Sequence, residues 1–465
     1  MLNYFPKHFT NKAIALYFVT FILITMLFFK HSMAVLMFMI GVLEVITFFY
    51  FSNVLTKKWS ALSSTKFSKN LFATGFIIRL IWVIFSYFFY IVMTGQPFEF
   101  EAADSLTYHS MATDLAEKGF SEFGNIFSNW DLSDRGYGTY LGLVYIVFGK
   151  SIFIARVIKA LLGAFTVLLI YKLATRNLGE NTGRIAAILT MLMPNLIFYC
   201  GLHLKEVEMV FISVAFIERA DYTLRSKINF TNTFIVLLLA AIMFTFRTAL
   251  GITALFSLVT ALLFSRDKLL GFGQRFIIGV WVVIAIAFFA GGKISTEIEQ
   301  LWQKRDVNQK SSMEWRAQRE GGNKFADKAS TLIFAPAIFI IPIPTMVNIE
   351  TQQNQQLIHG GNFDKDILAF FLIFGFVYIL INRKWRNFTL IGAFMLGYLA
   401  IIAMSAFAQS ERFHQPALPF YLMFAAYGIS NITNKEKKYF NAYLVLLLFI
   451  VLAWNWFKLA GRGLV

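Results

Sequence analysis

The chain is poor in cysteine and in charge. Cys200 is its only cysteine, which excludes a disulfide framework within one chain and a cysteine zinc site. Charged residues make up 15% of the sequence, whereas a soluble protein of this length would carry about 25%. A P-loop, an HExxH, a GxSxG and a GxGxxG in the right context are also absent, which excludes ATPases, dehydrogenases and hydrolases of the soluble types.

Apolar residues dominate what is present. They make up 58% of the chain, and the mean hydropathy is +0.63. Apolar runs long enough to cross a ~30 Å hydrocarbon core recur along the whole sequence. The first run is not followed by a small-residue cleavage site, so we expect a retained anchor instead of a cleaved signal peptide. The sequence therefore predicts an all-α, polytopic membrane protein that forms a single membrane-embedded domain over 1–465.

The runs predict about thirteen spans. They lie at 14–29, 33–51, 73–93, 152–174, 184–200, 204–218, 229–246, 249–265, 274–291, 367–382, 388–407, 416–432 and 439–457. Two further runs, at 138–149 and 331–346, are short or interrupted by proline, and we expect them to be interfacial or re-entrant. The domain accordingly begins with N-terminal spans at 1–93, followed by a polar loop at 94–137 and core spans at 138–291. A second polar segment at 292–366 and C-terminal spans at 367–465 complete it.

Basic residues give the orientation. Lys and Arg cluster in six loops, at 57–69, 172–184, 219–227, 266–275, 383–386 and 435–438. Alternating spans place all six loops on one face, which the positive-inside rule predicts to be cytoplasmic, together with the N-terminus. The net charge of +16 is therefore an orientation signal, and no basic helix or RNA-binding motif indicates a nucleic-acid partner. Loop 94–137 and the polar parts of 292–366 then face the periplasm or exterior of a bacterial inner membrane.

The loop 94–137 collects carboxylates, which are scarce in the basic loops. They are Glu99, Glu101, Asp104, Asp114, Glu117, Glu122, Asp131 and Asp134. The spacing of Leu106, Met111 and Leu115 predicts a short amphipathic helix at the membrane interface. Asp104 would lie near its N-terminus, either as a capping residue or as a general base that deprotonates an acceptor hydroxyl.

Candidate phosphate-binding residues follow along the chain. Tyr108 and His109 share the segment of Asp104, where Tyr108 packs or touches substrate and His109 is solvated or touches a phosphate. Lys205 lies at a tight turn beside Glu206, a possible second acid or metal ligand. Arg247 and Arg412 lie near outer ends of spans and offer planar forks for phosphate oxygens. For the lysine and the arginines, contact with lipid headgroups is the competing interpretation.

The order of these segments resembles the GT-C superfamily of lipid-phosphate-dependent glycosyltransferases. The resemblance covers roughly 100–220 and 405–432. It is carried by the segments ADSLTY at 103–108, GYGTYL at 136–141, FGKSIFIAR at 148–156, YKLATRNLG at 171–179, LMPN at 192–195, LKE at 204–206 and ERFHQPALP at 411–419. The chain resembles small bacterial members that lack a soluble C-terminal domain.

The resemblance implies transfer of a hexosyl or pentosyl group from a polyprenyl-phosphate carrier to an envelope glycan, lipid or protein on the outer face. It implies that Asp104 is the base. From their charge, we expect Arg412, with Lys205 or Arg247, to neutralise the leaving phosphate. Several members have an acidic pair in the first loop, but Ser105 follows Asp104 here. A divalent metal is therefore doubtful as a cofactor, and none of these residues is assigned to a metal site.

Two alternatives remain open. A polysaccharide polymerase or ligase, such as one acting on O-antigen, also uses arginines against a polyprenyl pyrophosphate but does not need Asp104. A lipid-linked glycan transporter or flippase would need charges near the middle of spans, and Glu44, Arg79, Arg156 and Lys159 are the candidates. The absence of a clear internal repeat argues against an inverted-repeat transporter.

Overall fold

In a computed structural model, the chain is all-α over the residues that the structure describes, which are 2–226, 229–264, 279, 305–319, 321–328, 331–405 and 407–465. The first twelve helices are α1 Lys7–Leu27, α2 Val35–Trp59, α3 Ser64–Thr94, α4 Ala103–Lys118, α5 Phe123–Asn129, α6 Leu132–Phe148, α7 Ile152–Leu178, α8 Glu180–Leu192, α9 Pro194–Phe198, α10 Glu206–Arg225, α11 Phe230–Phe246 and α12 Thr248–Phe264. The later helices are Arg305–Gln318, Thr331–Ala337, Gln353–Leu357, His359–Ile381, Thr389–Ala403, Glu411–His414, Leu418–Asn431 and Glu436–Ala460.

The chain is an integral membrane protein with several candidate spans. Within the described ranges, five helices are long and apolar enough to cross a bilayer, and the bent pair formed by α8 and α9 brings the number to six. The other described segments that were predicted as spans also coincide with helices, but these are shorter or less apolar. The predicted span at 274–291 lies outside the described residues, except for Gly279. The structure thus supports five or six spans, whereas thirteen were predicted.

A proline breaks the helical run at 180–201. Pro194 lacks the N–H that would bond to the Thr190 carbonyl, and the chain bends there by 53°. The buried side chain of Arg79, on α3, covers the break: its guanidinium donates to the carbonyls of Met191, at 3.2 Å, and Thr190, at 3.4 Å. Backbone groups freed inside a membrane protein need such partners. The bend directs Phe198 and Tyr199 into the cavity described below.

The predicted helix in the acidic loop is present as α4. Gly95, whose φ is +76°, ends α3 in the left-handed conformation that glycine adopts without strain. The loop then leads into α4, which buries Tyr108, Ala112 and Leu115 on one face, whereas Leu106 is exposed. Ala102 precedes the helix without a side-chain cap, so Asp104 lies in the first turn and is not the capping residue.

Two late helices approach each other closely. Helices His359–Ile381 and Leu418–Asn431 meet at Gly375 and Gly428, and a Cβ on Gly428 would lie 1.9 Å from the carbonyl oxygen of Phe371. Only glycine permits backbones this close, as at many membrane helix interfaces. This contact joins the helix that follows the corner with Glu411 and Arg412 to helix His359–Ile381.

Charged residues also link the opposite end of the bundle. Arg176 pairs with Glu218, at 2.5 Å, and with Asp221, at 2.9 Å. Arg184 donates to the carbonyl of Trp59 at 2.9 Å. Three of the basic segments recognised in the sequence therefore meet at one end of the protein, away from α4.

Candidate active site

A polar cavity opens at the end of the bundle that carries α4. Its volume is about 440 Å³. The residues that line it come from the acidic loop, the turn after α9, the segment 350–355 and the corner that starts at Ser410. Asp104 and Arg412 are both in its wall. Segments that are hundreds of residues apart in the sequence thus enclose one space.

The predicted base and one predicted phosphate ligand form an ion pair in this cavity. Nη1 of Arg412 lies 2.5 Å from Oδ2 of Asp104. Both side chains remain partly accessible, with 30% of Arg412 and 47% of Asp104 exposed, so a ligand can reach them. Burial alone would lower the pKa of Arg412, but the Glu206 and Asp104 carboxylates outweigh it and raise that pKa. The guanidinium is therefore a permanent positive charge.

A second arginine, Arg247, contacts the same aromatic ring as Arg412. The guanidinium of Arg247 lies 4.1 Å from the centre of the Phe413 ring, and that of Arg412 lies 4.9 Å from the same ring. Arg247 also lies 3.8 Å from Glu206 and donates to the hydroxyl of Tyr398 at 3.2 Å. Glu206 is buried and its Oε2 has no hydrogen-bond partner among the described residues. These charges alternate in sign from Arg247 through Glu206 to Arg412.

Lys205 and Tyr108 converge on Asp134, which the sequence analysis did not select as a site residue. Nζ of Lys205 lies 2.6 Å from Oδ1 of Asp134, and the Tyr108 hydroxyl donates to the same oxygen at 2.8 Å. Burial lowers the pKa of Lys205, although Asp134 opposes that change. Neither Lys205 nor Tyr108 lines the large cavity. Tyr108 therefore fixes α4 against α6, and Lys205 fixes the start of α10 against α6. A phosphate contact of either residue remains a prediction.

His109 also lies outside the cavity wall. Its Nδ1 is 2.8 Å from the Tyr145 hydroxyl, which lies 3.1 Å from Nε2 of His203. Burial lowers the pKa of His109 and, more strongly, that of His203, so both rings are neutral near pH 7. This chain of hydrogen bonds ties α4 to α6 and to the turn before α10.

The charges considered for a transport path all have backbone partners. Arg79 binds the carbonyls at the helix break, Arg156 donates to the carbonyl of Pro97 at 2.5 Å, and Lys159 donates to that of Leu204. Glu44 accepts from the Gly361 amide at 3.1 Å. These charges therefore bind backbone groups at a helix break, in two loops and in the first turn of helix His359–Ile381.

Several residues that line the cavity were not among the predicted site residues. Glu99 and Glu411 are buried in the wall beside Tyr199, and the segment 350–355 forms a whole side of it. The amide-rich composition of that segment was the only signal in the sequence. Among the described residues, no group of three or more His, Cys, Asp or Glu side chains has a geometry that could hold a metal ion.

Comparison with the models of known protein families finds no match, and a search of curated proteins finds no relative.

Proposed function

We propose that this chain is an integral membrane glycosyltransferase of the GT-C type. It moves a sugar from a polyprenyl-phosphate donor to a hydroxyl of an envelope glycan, lipid or protein. In this proposal the bundle has about thirteen spans in a bacterial inner membrane, the N-terminus is cytoplasmic and the cavity opens to the periplasm. The observation that carries the proposal is the pairing of Asp104 with Arg412 in one accessible cavity.

The two side chains suit the two ends of a glycosyl transfer. The acceptor oxygen attacks the anomeric carbon of the sugar while Asp104 takes the hydroxyl proton. The bond between that carbon and the phosphate oxygen breaks, and the electron pair leaves with the phosphate. Arg412 stabilises the charge that develops there, and Arg247 adds to the positive potential from behind Phe413.

The ion pair also explains how the base is kept inactive before substrate binds. Arg412 donates to one oxygen of Asp104. The donor phosphate is a diester with one negative charge shared by two oxygens, both of which can accept from the guanidinium fork, so it competes with the carboxylate for Arg412. Donor binding therefore releases Asp104 to accept a proton, which links the start of catalysis to the presence of donor.

An apolar groove beside the cavity supports a lipid-linked donor. It has a volume of about 320 Å³ and lies between α2 and α3, with Pro194, Ile197 and Phe198 at its base. Phe198 lines both the groove and the polar cavity. A polyprenyl chain in the groove would place its phosphate at the mouth of the cavity.

The test is a transfer assay with purified protein in lipid nanodiscs. The donors are decaprenyl phosphates that carry radiolabelled hexoses or pentoses, and the acceptors are a membrane-lipid extract, an envelope glycan fraction and envelope proteins. Appearance of label on an acceptor supports the proposal. Transfer only from a decaprenyl pyrophosphate would favour the polymerase, and uptake of a lipid-linked glycan into sealed vesicles without covalent transfer would favour the transporter.

A further inference from the structure

The cavity has an amide-rich wall, defined by residues 350–355 with the sequence ETQQNQ. All six of its residues line the cavity. It faces the same space as Asp104 and Arg412, yet the proposed chemistry uses none of its side chains. A side built from amides, a hydroxyl and a carboxylate is suited to hydrogen bonds with an uncharged polar ligand.

The amide wall is held from two directions. Nδ2 of Asn354 donates to the carbonyl of Phe100 at 2.6 Å, which joins the wall to the acidic loop. Lys458, on the last long helix, donates to Oε1 of Gln352 at 2.8 Å and to Oε1 of Gln355 at 3.3 Å. Three residues earlier, Asn455 accepts from the Met346 amide at 2.7 Å. One face of this helix therefore fixes the segment that leads into the wall and the wall itself.

The contact with Lys458 sets the direction of two amide groups. Nζ of Lys458 lies against the carbonyl oxygen of each glutamine and donates to it. The NH2 groups of Gln352 and Gln355 must then point away from Lys458 and are available as donors. Glu350, in the same wall, and Glu101, across the cavity, are exposed and supply acceptors. The cavity therefore offers both donors and acceptors, which the hydroxyls of a sugar need as partners.

Glu101 adds a further sign of function. Its φ is +53°, in the left-handed region that non-glycine residues seldom adopt. Backbone strain of this kind concentrates at binding and catalytic sites. The conformation places Glu101 in the cavity wall directly before α4 and Asp104.

We propose that the amide wall is the sugar subsite of the cavity. Gln352, Gln355 and Glu350 bind the hydroxyls of the transferred sugar, and Lys458 is a positioning residue that orients the two amides. The inference rests on the proposed glycosyltransferase function and divides the cavity: Arg412 takes the phosphate and the wall takes the sugar. The carboxylates in and opposite the wall make it unsuitable for a second phosphate.

Binding measurements with two lipids separate these roles. The probes are decaprenyl phosphate with a hexose and bare decaprenyl phosphate, bound to protein in nanodiscs and followed by tryptophan fluorescence. Losing two buried hydrogen bonds should weaken binding of the glycosylated lipid by about 10- to 100-fold in the Gln352→Leu, Gln355→Leu double variant. Affinity for the bare lipid should not change. Gln96→Leu, at an exposed position outside the wall, is the matched control.

Two variants test whether the hydrogen-bond donors of Lys458 orient the amides of the wall. Lys458→Met should lose affinity for the glycosylated lipid only, and Lys458→Arg, which keeps the donors, should restore it. Equal losses for both lipids, or no loss in the glutamine variants, would overturn the sugar subsite.

A failure of the proposed function gives a different pattern. If the wild-type protein binds neither lipid, the donor assignment falls. The wall is then tested alone, by saturation-transfer NMR with free hexoses. Contacts that the double glutamine variant loses would support a sugar subsite, and the absence of contacts would overturn it.

Discussion

Arg412 and Asp104 are 308 residues apart in the sequence, yet Nη1 of the first lies 2.5 Å from Oδ2 of the second. One side chain comes from a corner late in the chain and the other from the first turn of α4. The pair connects the acidic loop with the corner that begins at Ser410. In the proposed function it supplies a base and a fixed positive charge.

Arg412→Ala should weaken the binding of bare decaprenyl phosphate by about 10- to 100-fold, since hydrogen bonds to charged groups contribute about 1.5–3 kcal/mol. Arg412→Lys should lose less affinity because it keeps the charge but not the planar fork. Lipid titrations in nanodiscs measure both effects. Arg386→Ala, at an exposed position in another loop, is the control, and an unchanged affinity in Arg412→Ala would remove that residue from the phosphate site.

Arg79→Met should destabilise the protein strongly. The change leaves the carbonyls of Thr190 and Met191 without their side-chain donor at the break before Pro194, and a buried unsatisfied group costs about 1–3 kcal/mol. Thermal unfolding in detergent should show a clear decrease in Tm. Lys69→Met changes an exposed position on the same helix and should unfold like the wild type. Equal Tm values for the two variants would contradict the capping role.

Gly428→Ala should also lower Tm. The new methyl group would lie 1.9 Å from the Phe371 carbonyl oxygen, so helices His359–Ile381 and Leu418–Asn431 must separate. Overpacking of this kind costs about 1–3 kcal/mol. Gly392→Ala is the matched control, because a Cβ at that helical position has open space around it. The close-packing account would be wrong if both alanine variants unfolded at the same temperature.

Stability should fall in mildly acidic solution because of His203. Burial depresses its pKa in the folded state, whereas the unfolded side chain titrates near about 6.5. The unfolded protein therefore binds more protons below that pH, and unfolding becomes more favourable as the pH decreases. His109 has the same direction of shift. Tm measured at pH 7.5 and pH 5.5 should differ less in His203→Gln than in the wild type, and an identical difference would exclude His203 as the cause.

Much of the helical framework could be predicted from apolar runs. The predicted runs at 14–29, 33–51 and 73–93 each coincide with most of a long helix. A helix that crosses the hydrocarbon core needs a continuous apolar segment of that length, and such a segment is visible in the sequence. The break at Pro194 was also visible as a proline within a run. The structure supports fewer spans than the apolar runs predicted. Helices such as Glu206–Arg225 bury charged side chains inside the bundle. Hydropathy alone cannot distinguish such a buried helix from a span that faces lipid.

The candidate site was predictable in part. Carboxylates in the acidic loop and an arginine beside prolines pointed to Asp104 and Arg412. Asp134 could not be singled out because its role depends on the distances to Lys205 and Tyr108. The amide wall was missed for a related reason. The direction of a glutamine amide depends on its hydrogen-bond partner, and Lys458, the partner of two of these amides, lies over a hundred residues away in the sequence.

Asp104→Asn tests whether the Asp104 carboxylate is the base of the proposed transfer. Sugar transfer from decaprenyl phosphate and binding of bare decaprenyl phosphate are measured on the same nanodisc preparations, with Asp114→Asn on the same helix as the control. We expect transfer to fall by about 10²- to 10⁴-fold, while affinity for the lipid phosphate stays the same or increases because Arg412 has lost the negative charge of its competing partner. Transfer at the wild-type rate by Asp104→Asn would contradict this expectation.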